Sequence, residues 1–237
     1  MGSYIRRGAI AGFAAGLSLA LVLRVLGEPW IDAAVRFEKA HETGSTHADL
    51  FGRGTQHWGG MIGAGLYGVA LGVVFAVVFA ALRHRLAGSD WRRSVHLAAA
   101  GFVALFFVPF LKYPANPPSV GEPSTITRRT VLYVLLLAWS ILAVWATWRL
   151  QRELAARAVP EHVRAIVVAV GFVLLVAAAY ATFPPNRDPV RPPANLIWHF
   201  RVASAAGQVV YWAVLGTVFG ILSTGAARRS THATIGS

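Results

Sequence analysis

The residues best suited to chemistry are concentrated in the segment Glu28–Glu42. Glu38 and His41 stand three apart and Glu42 follows directly. On a helix those spacings put all three on one surface, where they can face a common ion. Carboxylate plus imidazole suits divalent first-row metals such as cobalt, nickel or zinc. The same segment has a helical pattern, with Trp30, Ala34, Phe37 and His41 on one side and Asp32, Arg36 and Lys39 opposite, as in a helix lying at a membrane interface. His47, Asp49 and His57 follow closely. Two readings stay open here: a metal-capturing surface, or a solvated interfacial helix whose histidine packs on tryptophan.

A second constellation is cationic: Lys112, Arg128, Arg129 and Arg201. These side chains either pair with acids such as Glu28, Asp32 and Glu122 or bind an anionic ligand. A ring of cations is a poor mouth for a bare dication. No Ser/His/Asp arrangement can be assigned, and His41, His47, His57 and His199 lack a catalytic spacing, so the chain does not read as an enzyme. With no cysteine, disulfides and thiolate chemistry are excluded.

The elements that must carry these residues are written in the apolar runs. The chain has 237 residues, 56% hydrophobic and only 14% charged, with a mean hydropathy of +0.54. A soluble domain carries about a quarter charged residues. Six runs account for the difference: Gly8–Leu26, Gly59–Leu82, Val95–Leu111, Thr130–Trp148, Ala165–Phe183 and Val202–Leu222. Each is near the roughly 20 residues a helix needs to cross a bilayer. Their sole formal charge, Arg24, sits near a helix end and can snorkel. The expected architecture is all-α, a single polytopic membrane domain over 1–237 with six transmembrane helices in three out-and-back hairpins. The first run resembles a signal peptide but lacks a small-x-small cleavage site, and is expected to be retained.

Net charge is +12, yet the basic residues lie at helix ends, which points to membrane headgroups and topology rather than nucleic acid. With the termini in the cytoplasm, the inner segments hold twelve Arg and the outer loops nine Arg and Lys, so the positive-inside rule favours that orientation. Ten of the twelve prolines fall in the outer loops 27–58, 112–129 and 184–201, which should be stiff and non-helical. A specialised site is therefore expected at the outer face. The runs ending Tyr113-Pro114 and Phe183-Pro184-Pro185-Asn186 each lead through a Pro/Asn loop to an arginine-opened helix, the pattern of a parallel repeat or simply of two similar turns.

Inside the membrane, Gly8, Gly12 and Gly16, then Gly60, Ala64, Gly68 and Gly72, repeat every four residues, and helix six has Gly216 and Gly220. Such stripes let helix backbones approach, within the chain or between copies in a homo-oligomer. Helices one, two and six should form a tight core. No span contains Asp, Glu or Lys, which disfavours a self-sufficient ion-driven pump, and no P-loop is present.

Glu28-Pro29 with Asp32 and Phe37-Glu38, then the string Pro109–Pro118, then Trp198-His199-Phe200-Arg201 with Ala203-Ser204 and Gln208, resemble the CbtA family of bacterial cobalt transporter subunits, in order over nearly the whole chain. The resemblance implies a multi-pass subunit of the bacterial inner membrane, carrying cobalt with a small single-helix, histidine-bearing partner of CbtB type and without a tightly bound cofactor. Family members often have an acid where this chain has Lys39. Taken with the cationic cluster, the further candidate site is Glu28, Asp32, Lys112, Tyr113, Asn116, Arg129, His199, Arg201 and Gln208. Two other readings remain: the substrate-binding membrane component of an energy-coupling-factor type transporter, or a non-transporting membrane scaffold.

Overall fold

The computed structural model describes residues 1–41, 53–117 and 120–235, with side chains described for 1–40, 58–117 and 120–225. Among the described residues there is no strand. The helices are α1 (Gly2–Val22), α2 (Glu28–His41), α3 (Arg53–Leu82), α4 (Asp90–Phe102), α5 (Val108–Lys112), α6 (Ile126–Ala156), α7 (Glu161–Thr182) and α8 (Ala194–Ile235). A π-helical turn, Leu23–Gly27, joins α1 to α2, and another, Val103–Phe107, joins α4 to α5. Among the described residues, six stretches are long and apolar enough to cross a membrane: Gly2–Ala40, Trp58–Arg85, Asp90–Lys112, Pro123–Ala156, Glu161–Thr182 and Ala194–Gly225. Leu21, Val25, Ile62, Leu66, Val173 and Leu174 all point outward with more than half their surface exposed. In water such an apolar surface would be untenable, but in a bilayer it is the lipid-facing wall. The chain is a multi-pass membrane protein.

The Glu28-Pro29 step departs from the sequence expectation. It is helical, not a stiff loop, and the first span runs on without a break into α2. The π-turns supply the reason. Glu28 N–H bonds back five residues to Leu23 O, and Pro29 follows; Val108 N–H bonds to Val103 O, and Pro109 follows. Proline removes a donor and crowds the carbonyl four residues back, so widening the preceding turn lets the helix continue. Other helices overrun their apolar runs as well. Beyond Trp148, α6 continues to Ala156, with Arg149 and Arg152 laid over the rings of Trp145 and Trp148 at 5.9 and 5.1 Å. Good helix formers and cation–π contacts extend the helix past its apolar part.

Contacts group the chain into two compact units. Unit one comprises Met1–Ala99, Pro117–Ser119 and Pro192–Ser237; unit two comprises Ala100–Asn116 and Val120–Arg191. In unit one, α1 packs on α3 and α8, as the small-residue stripes predict. A Cβ added at Gly12 would land on Gly68 O and lie 2.8 Å from Gly72 Cα; Gly8 faces Gly72 O and Gly16 faces Ala64 O in the same way. Gly60 has nothing within 4 Å, so the ladder in use on α3 is Ala64, Gly68 and Gly72. The glycines of α8 serve a different neighbour. A Cβ at Gly216 would lie 2.6 Å from Ala98 Cβ and one at Gly220 2.9 Å from Trp91 Cα, both on α4, while Ser94 Oγ donates to Gly216 O at 2.7 Å. Beside this seam, Phe219 meets Phe75 and Phe79 edge-on at 5.2 and 5.0 Å.

Unit two is built around α6 and α7. Trp139 Nε1 donates to Leu175 O at 3.0 Å, and its ring meets Phe183 edge-on. Phe102, Phe106 and Phe110 form a ladder with centroids 5.6 and 4.8 Å apart.

Candidate functional site

The candidate residues divide between the two units: Glu28, Asp32, Glu38, His41, His199, Arg201 and Gln208 belong to unit one, and Lys112, Tyr113, Asn116 and Arg129 to unit two. In unit one, α2 packs against the start of α8. Trp30 and His199 stack with centroids 4.1 Å apart and planes 13° from parallel. His199 Nδ1 lies 2.7 Å from Asn195 O. A carbonyl can only accept, so this contact takes its hydrogen from Nδ1 and leaves Nε2 outside it. Histidines that bind metals commonly donate their other ring N–H to a carbonyl in this way. The imidazole itself is exposed at the surface.

α2 has the amphipathic character expected of it: Ala34 is 1% exposed, whereas Arg36 and Lys39 are exposed. Glu38 is half-buried on the same helix. Of the proposed triad, His41 closes α2 with its side chain outside the described residues, and Glu42 lies outside them altogether, as do His47 and Asp49. Among the described residues, no group of three or more His, Asp or Glu is close enough to hold a metal. Arg201 and Gln208 are half-buried along α8.

In unit two, the loop after α5 and the loop after α7 are tied together. Lys112 Nζ donates to Tyr180 O at 3.0 Å and sits 4.9 Å over that ring; Tyr113 Oη donates to Pro184 O at 2.6 Å. Burial pushes the Tyr113 hydroxyl above its usual range, against a smaller opposing pull from Arg128. The hub is Asp188, whose side chain is 8% exposed. Its Oδ2 accepts from Thr125 Oγ1 at 2.7 Å and Glu122 N at 3.2 Å, and pairs with Arg129 Nε at 3.3 Å. The Thr125 hydroxyl, above all, holds this carboxyl below the usual carboxylate range. The Glu122 amide, Arg129 and Arg128 add to that effect, with desolvation opposing. Gly121 has φ +112°, and a Cβ there would sit 2.8 Å from Arg129 Cζ, so the turn that brings Glu122 and Arg129 together requires glycine. Arg191 pairs with Glu122 at 3.1 Å.

Two pairings correct the sequence expectation. Arg129 finds its carboxylate in Asp188, not in Glu28, Asp32 or Glu122, because the loops close on each other across 59 residues. The acid of Glu122 goes instead to Arg191, which was not among the candidates. Asp188, Thr125 and Arg191 carry no local signature; the nearest is the Asx turn, in which Asp188 N donates to Asn186 Oδ1 at 3.2 Å. Between the loops lies a cavity of about 720 Å³, whose wall includes Tyr113, Asn116, Arg128, Arg129, Arg187 and Asp188.

Among known proteins, no curated protein and no solved structure matches the chain. One family model does, that of the "Probable cobalt transporter subunit (CbtA)", over residues 1–224 of the 237. Six helices among the described residues long and apolar enough to cross a membrane, and a family match over almost the entire length, lead to one conclusion: the chain belongs to the CbtA family, described as probable cobalt transporter subunits.

Proposed function

We propose that this chain is the membrane-embedded subunit of a cobalt uptake system of the bacterial inner membrane, with cytoplasmic termini, working beside a small single-helix subunit. It takes the divalent ion at its outer face on the surface formed by α2 and the start of α8. The observation that carries this reading is His199: its Nδ1–H is committed to Asn195 O, its ring is held against Trp30, and Nε2 is left to donate to a metal. Imidazole with one or two carboxylates suits cobalt; α2 carries Glu28 and Glu38 and closes on His41, and Glu42 follows in the sequence. A site of few protein ligands with water filling the remaining positions suits transport, because an ion held by a full cage would not leave.

Radioactive cobalt accumulation in cells expressing wild type, His199→Gln, Glu38→Gln, His41→Gln and Lys39→Ala, normalised to membrane level, tests it. His199→Gln and His41→Gln should lower uptake roughly tenfold, as loss of a ligand does. Lys39→Ala should raise it by removing repulsion. Unchanged uptake in His199→Gln and His41→Gln would refute capture at this surface. For orientation, a lone cysteine at Ser89 should resist an impermeant label in intact cells, while one at Ser124 reacts.

A further inference from the structure

We infer that the cavity of unit two binds an oxyanion group, a carboxylate or phosphate, carried by a small soluble anion or by an anionic lipid headgroup. Its volume of about 720 Å³ falls within the roughly 300–1,000 Å³ of small-ligand sites. Both carboxylates on its wall are already engaged: Asp188 Oδ2 by Thr125, Glu122 N and Arg129, and Glu122 Oε1 by Arg191. Arg128 and Arg187 line the same cavity, both exposed, and neither makes an ion pair among the described residues.

The acids of the wall thus already face Arg129 and Arg191, whereas Arg128 acts on Asp188 through its field alone and Arg187 meets no carboxylate among the described residues. Both Arg128 and Arg187 offer paired N–H donors that match the two oxygens of a carboxylate or phosphate. Within a concave wall, such charges are less screened than on an open surface. The rims are set in advance by Tyr113 on Pro184, by Lys112 on Tyr180 and by the Asp188 hub, so little ordering cost falls on binding. The same field repels a bare dication, so this site is separate from the metal surface on α2 and does not depend on it.

The test uses the full chain, purified in uncharged detergent and phosphate-free buffer. In one arm, citrate and inorganic phosphate are titrated while the thermal midpoint is followed. In the other, the protein is placed in phosphatidylcholine nanodiscs with and without phosphatidylglycerol, and retained lipid is counted by native mass spectrometry. Saturable stabilisation in the first arm identifies a soluble anion; selective retention of phosphatidylglycerol in the second identifies a headgroup. In either, R187Q should weaken binding about tenfold, and R128Q/R187Q by about tenfold again. R152Q, whose guanidinium lies over Trp148, should bind as wild type. If the double variant fails to fold, R187Q decides alone, since exposed Arg187 makes no ion pair among the described residues. No binding in both arms, or binding undiminished by R187Q, would overturn the inference.

Discussion

In unit one, α1 and α3 meet backbone to backbone, with glycine carbonyls where side chains would ordinarily stand. In unit two, α6 and α7 meet through side chains such as Trp139, and the loops at their ends are fastened by an aspartate that takes two hydrogen bonds and an ion pair at one oxygen. The contrast follows the surroundings. In hydrocarbon, apolar burial gives helices little reason to associate, and close van der Waals contact must do the work. At the membrane boundary, where water and headgroups compete for every polar group, only a network with converging donors holds its geometry.

The difference is best broken at its tightest point. Gly12→Leu or Gly68→Leu should cost about 3 kcal/mol or more, because the new side chain meets backbone that cannot step aside. Little monodisperse protein should survive in detergent, whereas Gly63→Leu, with nothing within 4 Å, should behave as wild type. Next comes Gly121→Ala, which combines a positive φ with the Arg129 guanidinium in its path. It should cost about 1–3 kcal/mol and expose the loops of unit two to protease while leaving the α1–α3 pair intact.

Asp188→Asn should lower the thermal midpoint less than either and render the same loops cleavable. Its pH dependence sharpens the point. A carboxyl held below its ordinary 3.8 contributes its full stability above that value and loses it as pH falls through the lowered one. Limited proteolysis of the loops should therefore stay slow at pH 5 and quicken only below 3.8, and in Asp188→Asn this acid step should vanish. Smallest of all is Arg191→Ala: its pair with Glu122 is exposed, 75% and 42%, and should be worth about 0–1 kcal/mol, shrinking further in high salt.

The two halves of this comparison were unequally legible in the sequence. Apolar run length located all six spans, and a four-residue glycine period located the α1–α3 seam, because both are local repeats set by helix geometry. The role of Gly216 and Gly220 was less visible: two small residues announce a close neighbour without saying that it is α4. Pro29 misled, since proline ordinarily ends a helix, and the π-turn that admits it depends on a hydrogen-bond shift that no residue type encodes. Within the candidate site, Lys112, Tyr113 and Arg129 stood out as residues at helix ends. Their partners Tyr180, Pro184 and Asp188 did not, because they lie 59 to 71 residues along the chain. His199 stood out by type, but the carbonyl that takes its Nδ1 hydrogen comes from the helix's own first turn.

The glycine seam also works as a gauge of length. Because small residues recur every four positions on both α1 and α3, a slide short of four residues, about 6 Å along a helix, would set ordinary side chains against carbonyls. The next compatible register would bring Gly16 opposite Gly60, which lies open one step beyond the present ladder. Between those two settings there is no gradual path. The pair therefore moves as one rod, and flexing along the first span is left to the widened turn at Leu23–Gly27, where the rod continues into the helix that carries Trp30 and Glu38.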